Sequence, residues 1–217
     1  MDMRILGSLP PGYPEDYQRQ VTLSDGRRVF VRPVLPSDAP ELADAIRAAD
    51  ADTLRSRFLG GPPPVTPELL AHLTNVDYRH RFALVAIDPA TRRGVAIARY
   101  EPVGGDVAEV AVVVSPSWRR AGLATALMAL LAEAALERGI VTFTASYFAG
   151  NRPVAALVED AGGLARQVIK QGITEFSVAL ERHDAATARN VDRVSRGNRL
   201  PGAGPGADAG RGSGARD

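Results

Sequence analysis

Apolar and polar positions alternate with a period of two through VTLSDGRRVFVRPV (21–34), which predicts a hairpin. Val21 and Leu23 fall on one arm and Val29 and Val31 on the other, with Asp25-Gly26 as a two-residue turn. The period then changes. Leu42, Ala45, Ile46 and Ala49 recur at helical spacing behind Asp38-x-x-Glu41, a capping-box pattern. A second short helix is predicted over DTLRSRFL, where Leu54 and Phe58 are four apart. GGPPP breaks the chain at 60–64, and Thr66-Pro67 has the order of an N-cap and a first-turn proline opening a helix to about Thr74. Three apolar runs follow with short connections: FALVAID (82–88), GVAIARYE (94–101) and VAEVAVVV (107–114). Such spacing favours an antiparallel meander.

From about Ala121 to Arg138 the period is helical again, with Leu123, Leu127, Leu130, Leu131 and Ala134 on one face and Gly139 as a stop. IVTFTASYF (140–148) is a strand, Asn151–Ala161 a helix closed by Gly162-Gly163, and LARQVIKQ and ITEFSVAL a final hairpin around Gly172. The strand-helix-strand passage from 107 to 148 implies a locally parallel pair. The fold class expected is therefore α/β in the mixed sense: one mixed sheet with helices on it.

The ends of the chain break this pattern. Residues 1–17 are rich in Pro and Gly without periodicity, which predicts a flexible N-terminal arm. Residues 184–217 carry few large apolar side chains and end in PGAGPGADAGRGSGARD, too little to offset ordering entropy, which predicts a disordered Gly/Arg-rich tail. The folded unit expected is 18–183. The 217 residues suit one domain, and 45% apolar content suits an ordinary core. A formal net charge of +1 gives no broad electrostatic case for nucleic acid. Without cysteine there is no disulfide, thiolate nucleophile or Cys-based zinc site. His72, His80 and His183 have no HExxH-like spacing, so no metal site is expected. The N-terminus makes a poor signal peptide, and no window is long and apolar enough to span a bilayer. A cytoplasmic protein with no membrane partner is the resulting expectation.

Chemistry concentrates in SPSWRRAGLATALM (115–128), where the third apolar run passes into the long helix. A helix N-terminus leaves backbone N–H groups unpaired and carries partial positive charge. Gly122 lets an anion approach the backbone. Arg119 and Arg120 add positive charge where the helix dipole opposes it, which makes sense if an anion sits there. A turn that is basic by chance explains the same residues about as well. The spacing excludes two alternatives: the glycines of GxGxxG are missing, and so is the Gly-Lys-Ser/Thr of a Walker A loop.

Arg119-Arg120-Ala121-Gly122-Leu123-Ala124 matches Arg/Gln-x-x-Gly-x-Gly/Ala and resembles the signature of the GNAT N-acetyltransferases, whose element order the chain follows over roughly 20–182. RVFVRPVLPSDAPEL, LLAHLTNVDYRHRFALVAID, GVAIARYEP and AEVAVVV are similar to the catalytic domain of bacterial protein lysine acetyltransferases. The resemblance implies a mixed six- to seven-stranded sheet flanked by helices. It implies acetyl-CoA, or another acyl-CoA, as co-substrate in a wedge between the fourth and fifth core strands. It places the backbone of Val112, Val113 and Val114 on the pantetheine arm, backbone N–H groups of Arg120, Ala121, Gly122, Leu123, Ala124 and Thr125 on the pyrophosphate, charge from Arg119 and Arg120 nearby, and Asn151 on the pantetheine.

Glu109 interrupts an apolar strand. Burial would raise its pKa and suit it to take a proton from an attacking ammonium, the role of the matching Glu in the lysine acetyltransferases. Its bland alternative is an outward-facing carboxylate or one paired with Arg99. A backbone N–H of Val112 or Val113 is the candidate to polarise the carbonyl. The Tyr that protonates the departing thiolate in many relatives is absent from RPVAALVED, where Val158 falls at about its place; Tyr147 reads as a strand aromatic with its hydroxyl at the surface. His72 and His80 read as surface or packing residues, Asp77, Tyr78, Arg79 and Arg81 as substrate-side, and Trp118 as packing the strand end on the helix. The acceptor expected is a primary amine, foremost a protein lysine. A small-molecule amine acceptor, a non-catalytic acyl-CoA sensor and a homodimeric state all stay open.

Overall fold

The computed structural model describes residues 9–59, 61, 63–160 and 166–181. The tail expected at 184–217, residues 1–8 of the arm, His183 and the Gly162-Gly163 stop lie outside them. Eight strands form one mixed sheet in the order β1-β2-β3-β4-β5-β6-β8-β7. They are β1 (Arg19–Thr22), β2 (Arg28–Pro33), β3 (Phe82–Ile87), β4 (Gly94–Gly104), β5 (Val107–Val114), β6 (Thr142–Phe148), β7 (Arg166–Lys170) and β8 (Ile173–Ala179). The helices are α1 (Ala39–Ala48), α2 (Ala51–Phe58), α3 (Pro67–Thr74), α4 (Leu123–Glu137) and α5 (Arg152–Asp160). The count exceeds the six or seven expected because both arms of the first hairpin and both of the last join the sheet. The meander β3-β4-β5 is antiparallel and β5–β6 parallel, as the connection lengths demand.

Alternation in the strands sets two unlike faces. Phe82, Leu84, Ala98, Tyr100, Ala108, Val110 and Phe143 point to one side, where α4 lies across β3, β4 and β5 with Leu123, Leu127, Leu131 and Ala134 buried. The opposite face carries Arg99, Glu101 and Glu109 and receives α2.

Helix starts follow local chemistry with one exception. Asp50 caps α2 by accepting from Thr53 N–H at 2.8 Å, and Thr66 caps α3 through Leu69 N–H at 3.2 Å. The Asp38/Glu41 capping box does not form. Asp38 instead accepts from Leu35 N–H (2.8 Å) and from Arg32 at 2.6 and 2.8 Å, while Glu41 accepts from Gly94 N–H at 2.8 Å. A charged, half-buried guanidinium outcompetes a helix N–H for the same carboxylate.

The arm expected at 1–17 belongs to the core from Tyr13 onward. Tyr13 and Tyr17 are 9% and 4% exposed. Tyr17 packs edge-on to Phe82 (5.2 Å), and its hydroxyl donates to Glu137 at 2.7 Å. Arg138 lies over both rings, 5.4 and 4.7 Å from their centroids, and its Nε donates to the Tyr78 carbonyl at 2.7 Å. The aromatic spacing of Tyr13 and Tyr17 was masked in the sequence by the prolines around it. Burial of this size predicts that Tyr17→Ala lowers unfolding free energy by about 3 kcal/mol, read by urea denaturation; a loose arm would show no loss.

Candidate active site

Strands β5 and β6 run side by side for three rungs, Val107↔Thr142, Ala108↔Phe143 and Glu109↔Thr144, and then part. Past that point each keeps its other neighbour. β5 stays with β4 to Ala96↔Val114, and β6 stays with β8 to Phe148↔Ile173. The sheet is thus two halves joined over a short seam, with an opening beyond it.

The ladder phase shows which backbone groups line that opening. Ser115 N–H donates to Val95 C=O at 2.9 Å, so odd residues of β5 exchange bonds with β4 and even residues face the β6 side. The Asp106 carbonyl, which accepts from Val141 N–H at 2.9 Å on that side, fits the same phase. Past the seam, then, Val112 and Val114 turn their backbone groups to the opening, whereas those of Val113 are taken by Ile97. Of the three valines expected there, two are placed to bind. The Val114 carbonyl is already engaged, accepting from Arg119 Nε at 3.1 Å.

The turn to α4 rises at the end of this opening. Gly122, with φ 79°, is the N-cap and makes no side-chain cap bond; its left-handed conformation is one that glycine adopts without strain. The first helical bond runs from Ala126 N–H to the Gly122 carbonyl at 3.0 Å, so the N–H groups of Leu123, Ala124 and Thr125 have no partner within the helix. No acidic residue stands in the first turn. Ala121 is buried and its carbonyl accepts from Ser24 N–H at 3.2 Å, tying the turn to the first hairpin. Arg120 is exposed with φ 60° and makes no hydrogen bond or ion pair among the described residues.

Arg119 behaves differently from expectation. Its guanidinium donates to Thr53 Oγ1 at 2.7 Å and lies 3.9 Å from Asp50, bracing the turn against the start of α2. Trp118 likewise faces the hairpin: Arg27 stacks on its ring at 4.4 Å and donates to the Ser117 carbonyl at 2.9 Å. Asn151 precedes α5 and accepts from Val154 N–H at 3.4 Å through Oδ1, which leaves its Nδ2 without a described partner.

Glu109 sits on the last rung of the seam, at the apex of the opening. Its side chain is exposed rather than buried, and its expected partner Arg99 is taken by another carboxylate. Glu101, directly across from Glu109, lies 2.6 Å from Arg99, 3.2 Å from His72 and 4.0 Å from Arg81. Arg99, Arg81 and the His72 ring thus gather on Glu101, and Glu109 has no direct partner among the described residues. Arg99 is 5% exposed, and burial, against the pull of Glu101, brings its pKa down to about 10. His72, read as a surface or packing residue, is exposed and also borders this cluster. The signal for it was the i, i+2 spacing of Arg99 and Glu101 in an apolar strand, which puts both on one face.

Val158, at about the place expected for the Tyr of many relatives, is buried in α5. Tyr147 is 5% exposed and edge-on to Phe176 at 6.2 Å, more enclosed than a surface aromatic.

With this geometry in view, comparison with known proteins is decisive. The family model described as "Acetyltransferase (GNAT) family" matches residues 51–162. The chain belongs to the GNAT family. It is 30% identical over 139 residues to Acetyltransferase PA5475 of Pseudomonas aeruginosa, covering 63% of this chain and 75% of that one. It is 29% identical over 161 residues to Acetyltransferase Pat of Mycolicibacterium smegmatis, covering 73% of this chain but only 48% of Pat. The crystal structure of the GNAT domain of S. lividans PAT superposes with a TM-score of 0.71 at 27% identity, covering 77% of this chain and 99% of that domain. Membership of the GNAT family implies acetyl-CoA as the co-substrate.

The loop that leads to Arg81 is held by Asp77. Its carboxylate accepts from the backbone of Arg79, His80 and Arg81 at 3.0, 2.9 and 2.8 Å and faces the His80 ring at 3.1 Å. Burial alone would raise its pKa, but these donors hold it at about 2. A depressed folded-state value means stabilisation that is complete above the ordinary carboxylate range, about pH 4, and is lost as pH falls through about 2. Asp77→Asn should flatten that part of the acid unfolding profile measured by circular dichroism; an unchanged profile would remove Asp77 from the account.

Proposed function

We propose that this GNAT enzyme transfers an acetyl group from acetyl-CoA to a lysine side chain of a protein, with Glu109 as general base. What carries the reading is one juxtaposition. The only carboxylate of the β4–β5 pair left without a cation stands where β5 leaves β6, beside an open backbone edge and a helix N-terminus.

The residues present fit an acyl-CoA. The C=O of Val112 and the N–H of Val114 face the opening and would pair with the pantetheine arm, with Asn151 Nδ2 available beside it. The N–H groups of Leu123, Ala124 and Thr125 would take the pyrophosphate, with Gly122 permitting close approach and Arg120 contributing charge. Arg119 acts as a brace for Val114 and the turn. The bound thioester supplies the activated carbonyl. Val112 N–H is the donor placed to polarise it, since the N–H of Val113 is committed to β4. Glu109 takes the proton that the ammonium must lose before its nitrogen attacks. A thiol of ordinary pKa, about 8.5, leaves as thiolate without a dedicated acid, which suits a helix α5 that has no Tyr.

Two variants separate the parts of this reading. Glu109→Gln should lower kcat/KM for a lysine peptide by roughly 10²- to 10⁴-fold while calorimetry shows acetyl-CoA binding as in wild type. Full activity in that variant would remove Glu109 as the base. Gly122→Glu should abolish acetyl-CoA binding, because a carboxylate would stand where the anion belongs; retained binding would place the donor elsewhere.

A further inference from the structure

On the face opposite α4, two ionic groups near the end of the β5–β6 seam have no partner among the described residues once the Glu101 cluster is formed. One is Glu109. The other is Arg57, in the last turn of α2, a helix that packs on β5 and β6. Arg57 is partly buried and lies over the Phe58 ring at 5.1 Å, yet it has no hydrogen bond or ion pair among the described residues. It feels the fields of both Glu109 and Glu101 without a direct contact to either, and burial pulls its pKa down. The surroundings are rich in donors and poor in acceptors. Arg99 Nε and Arg81 Nε are buried without a hydrogen-bond acceptor among the described residues, and Arg99 Nη2 is taken by Glu101 at 2.6 Å. Polar groups on the same face of the neighbouring strands include Thr144 and Ser146 on β6, Ser177 and Glu175 on β8, and the exposed Lys170 on β7. Glu175 is exposed and pairs with Ser146, two strands away from Glu109.

We propose that Arg57 binds a carboxylate carried by the acceptor close to its reacting amine. This rests on the reading of Glu109 as the base. The Arg57 guanidinium has no protein acceptor among the described residues and still reaches solvent, so an incoming anion can meet it. A carboxylate from the acceptor satisfies it in bidentate fashion, while the ammonium faces Glu109. An acceptor that brings only positive charge gains Glu109 and is opposed by Arg57. The favoured substrate is therefore a lysine flanked by Asp or Glu. An amino acid offering its own α-carboxylate presents the same chemistry, and the choice of acceptors tells the two apart.

The test uses the full chain with acetyl-CoA and four acceptors: one lysine peptide with acidic, alanine or arginine neighbours, ends capped, and a free amino acid. Wild type should favour the acidic-flanked peptide over the alanine version by about tenfold in kcat/KM. That ratio should fall toward one in Arg57→Gln, persist in part in Arg57→Lys, and turn toward the arginine-flanked peptide in Arg57→Glu. Calorimetric affinity for acetyl-CoA, equal in all four proteins, shows that each is folded and that Arg57 serves the acceptor. Equal turnover of acidic and alanine peptides by wild type, or an unchanged ratio in Arg57→Gln, overturns the proposal while leaving the base and the donor site standing. Weakened acetyl-CoA binding in Arg57→Gln also overturns it, by placing Arg57 on the donor. Transfer to the free amino acid alone, lost in Arg57→Gln, upholds the carboxylate contact and removes the protein acceptor. Transfer to none of the four removes both readings together.

Discussion

A parallel ladder that stops after three rungs is the constraint on which the site depends. Backbone N–H and C=O groups on a strand edge need partners, and the edge of β5 beyond Glu109 loses them when β6 turns away toward β8. A continuous seam would have filled that edge with β6 and left nothing for a ligand to pair with. The same divergence sets Glu109 at the apex, as the last residue of β5 that has a β6 partner. The edge proposed to bind the donor and the carboxylate proposed as base are thereby positioned by one interruption in the sheet.

Helix α2 relates the two ends of this arrangement. Its first turn holds the donor end, where Asp50 and Thr53 meet Arg119 and through it the Val114 carbonyl. Its last turn carries Arg57 to the neighbourhood of Glu109. Eight residues of helix span about 12 Å, so one short rigid element fixes the distance between the turn proposed to bind phosphate and the side proposed to receive the acceptor. The cross-strand pair Glu101/Glu109 completes the division of labour. Like charges directly opposite are destabilising, and the two arginines gathered on Glu101, Arg99 and Arg81, offset that, while Glu109 has no direct partner among the described residues.

Much of this was legible in the sequence. Period-two and helical spacing gave nearly every element, including β5 at Val107–Val114 to the residue, because those segments have one buried face each. The turn at 119–125 was legible because a glycine and two arginines at a helix start contradict ordinary helix chemistry. What escaped was set by long-range partners. Arg119 reads as a phosphate ligand until α2 is folded beside it. Glu109 reads as buried because its neighbours in sequence are apolar, although its cross-strand neighbours are Glu101 and Thr144. The separation of Val112 and Val114 from Val113 depends on ladder phase, which no residue type reveals. Tyr13 and Tyr17 look like part of a loose arm until the rings of Tyr78 and Phe82 receive them.

Amide hydrogen exchange with and without acetyl-CoA addresses the central claim most directly, because it reads the backbone groups themselves. The account predicts that acetyl-CoA slows exchange at Val112 and Val114 and at Leu123, Ala124 and Thr125, with Val113, already bonded to β4, little changed. Protection confined to other elements, or a β5 edge whose exchange does not respond while the ligand is bound, would contradict it.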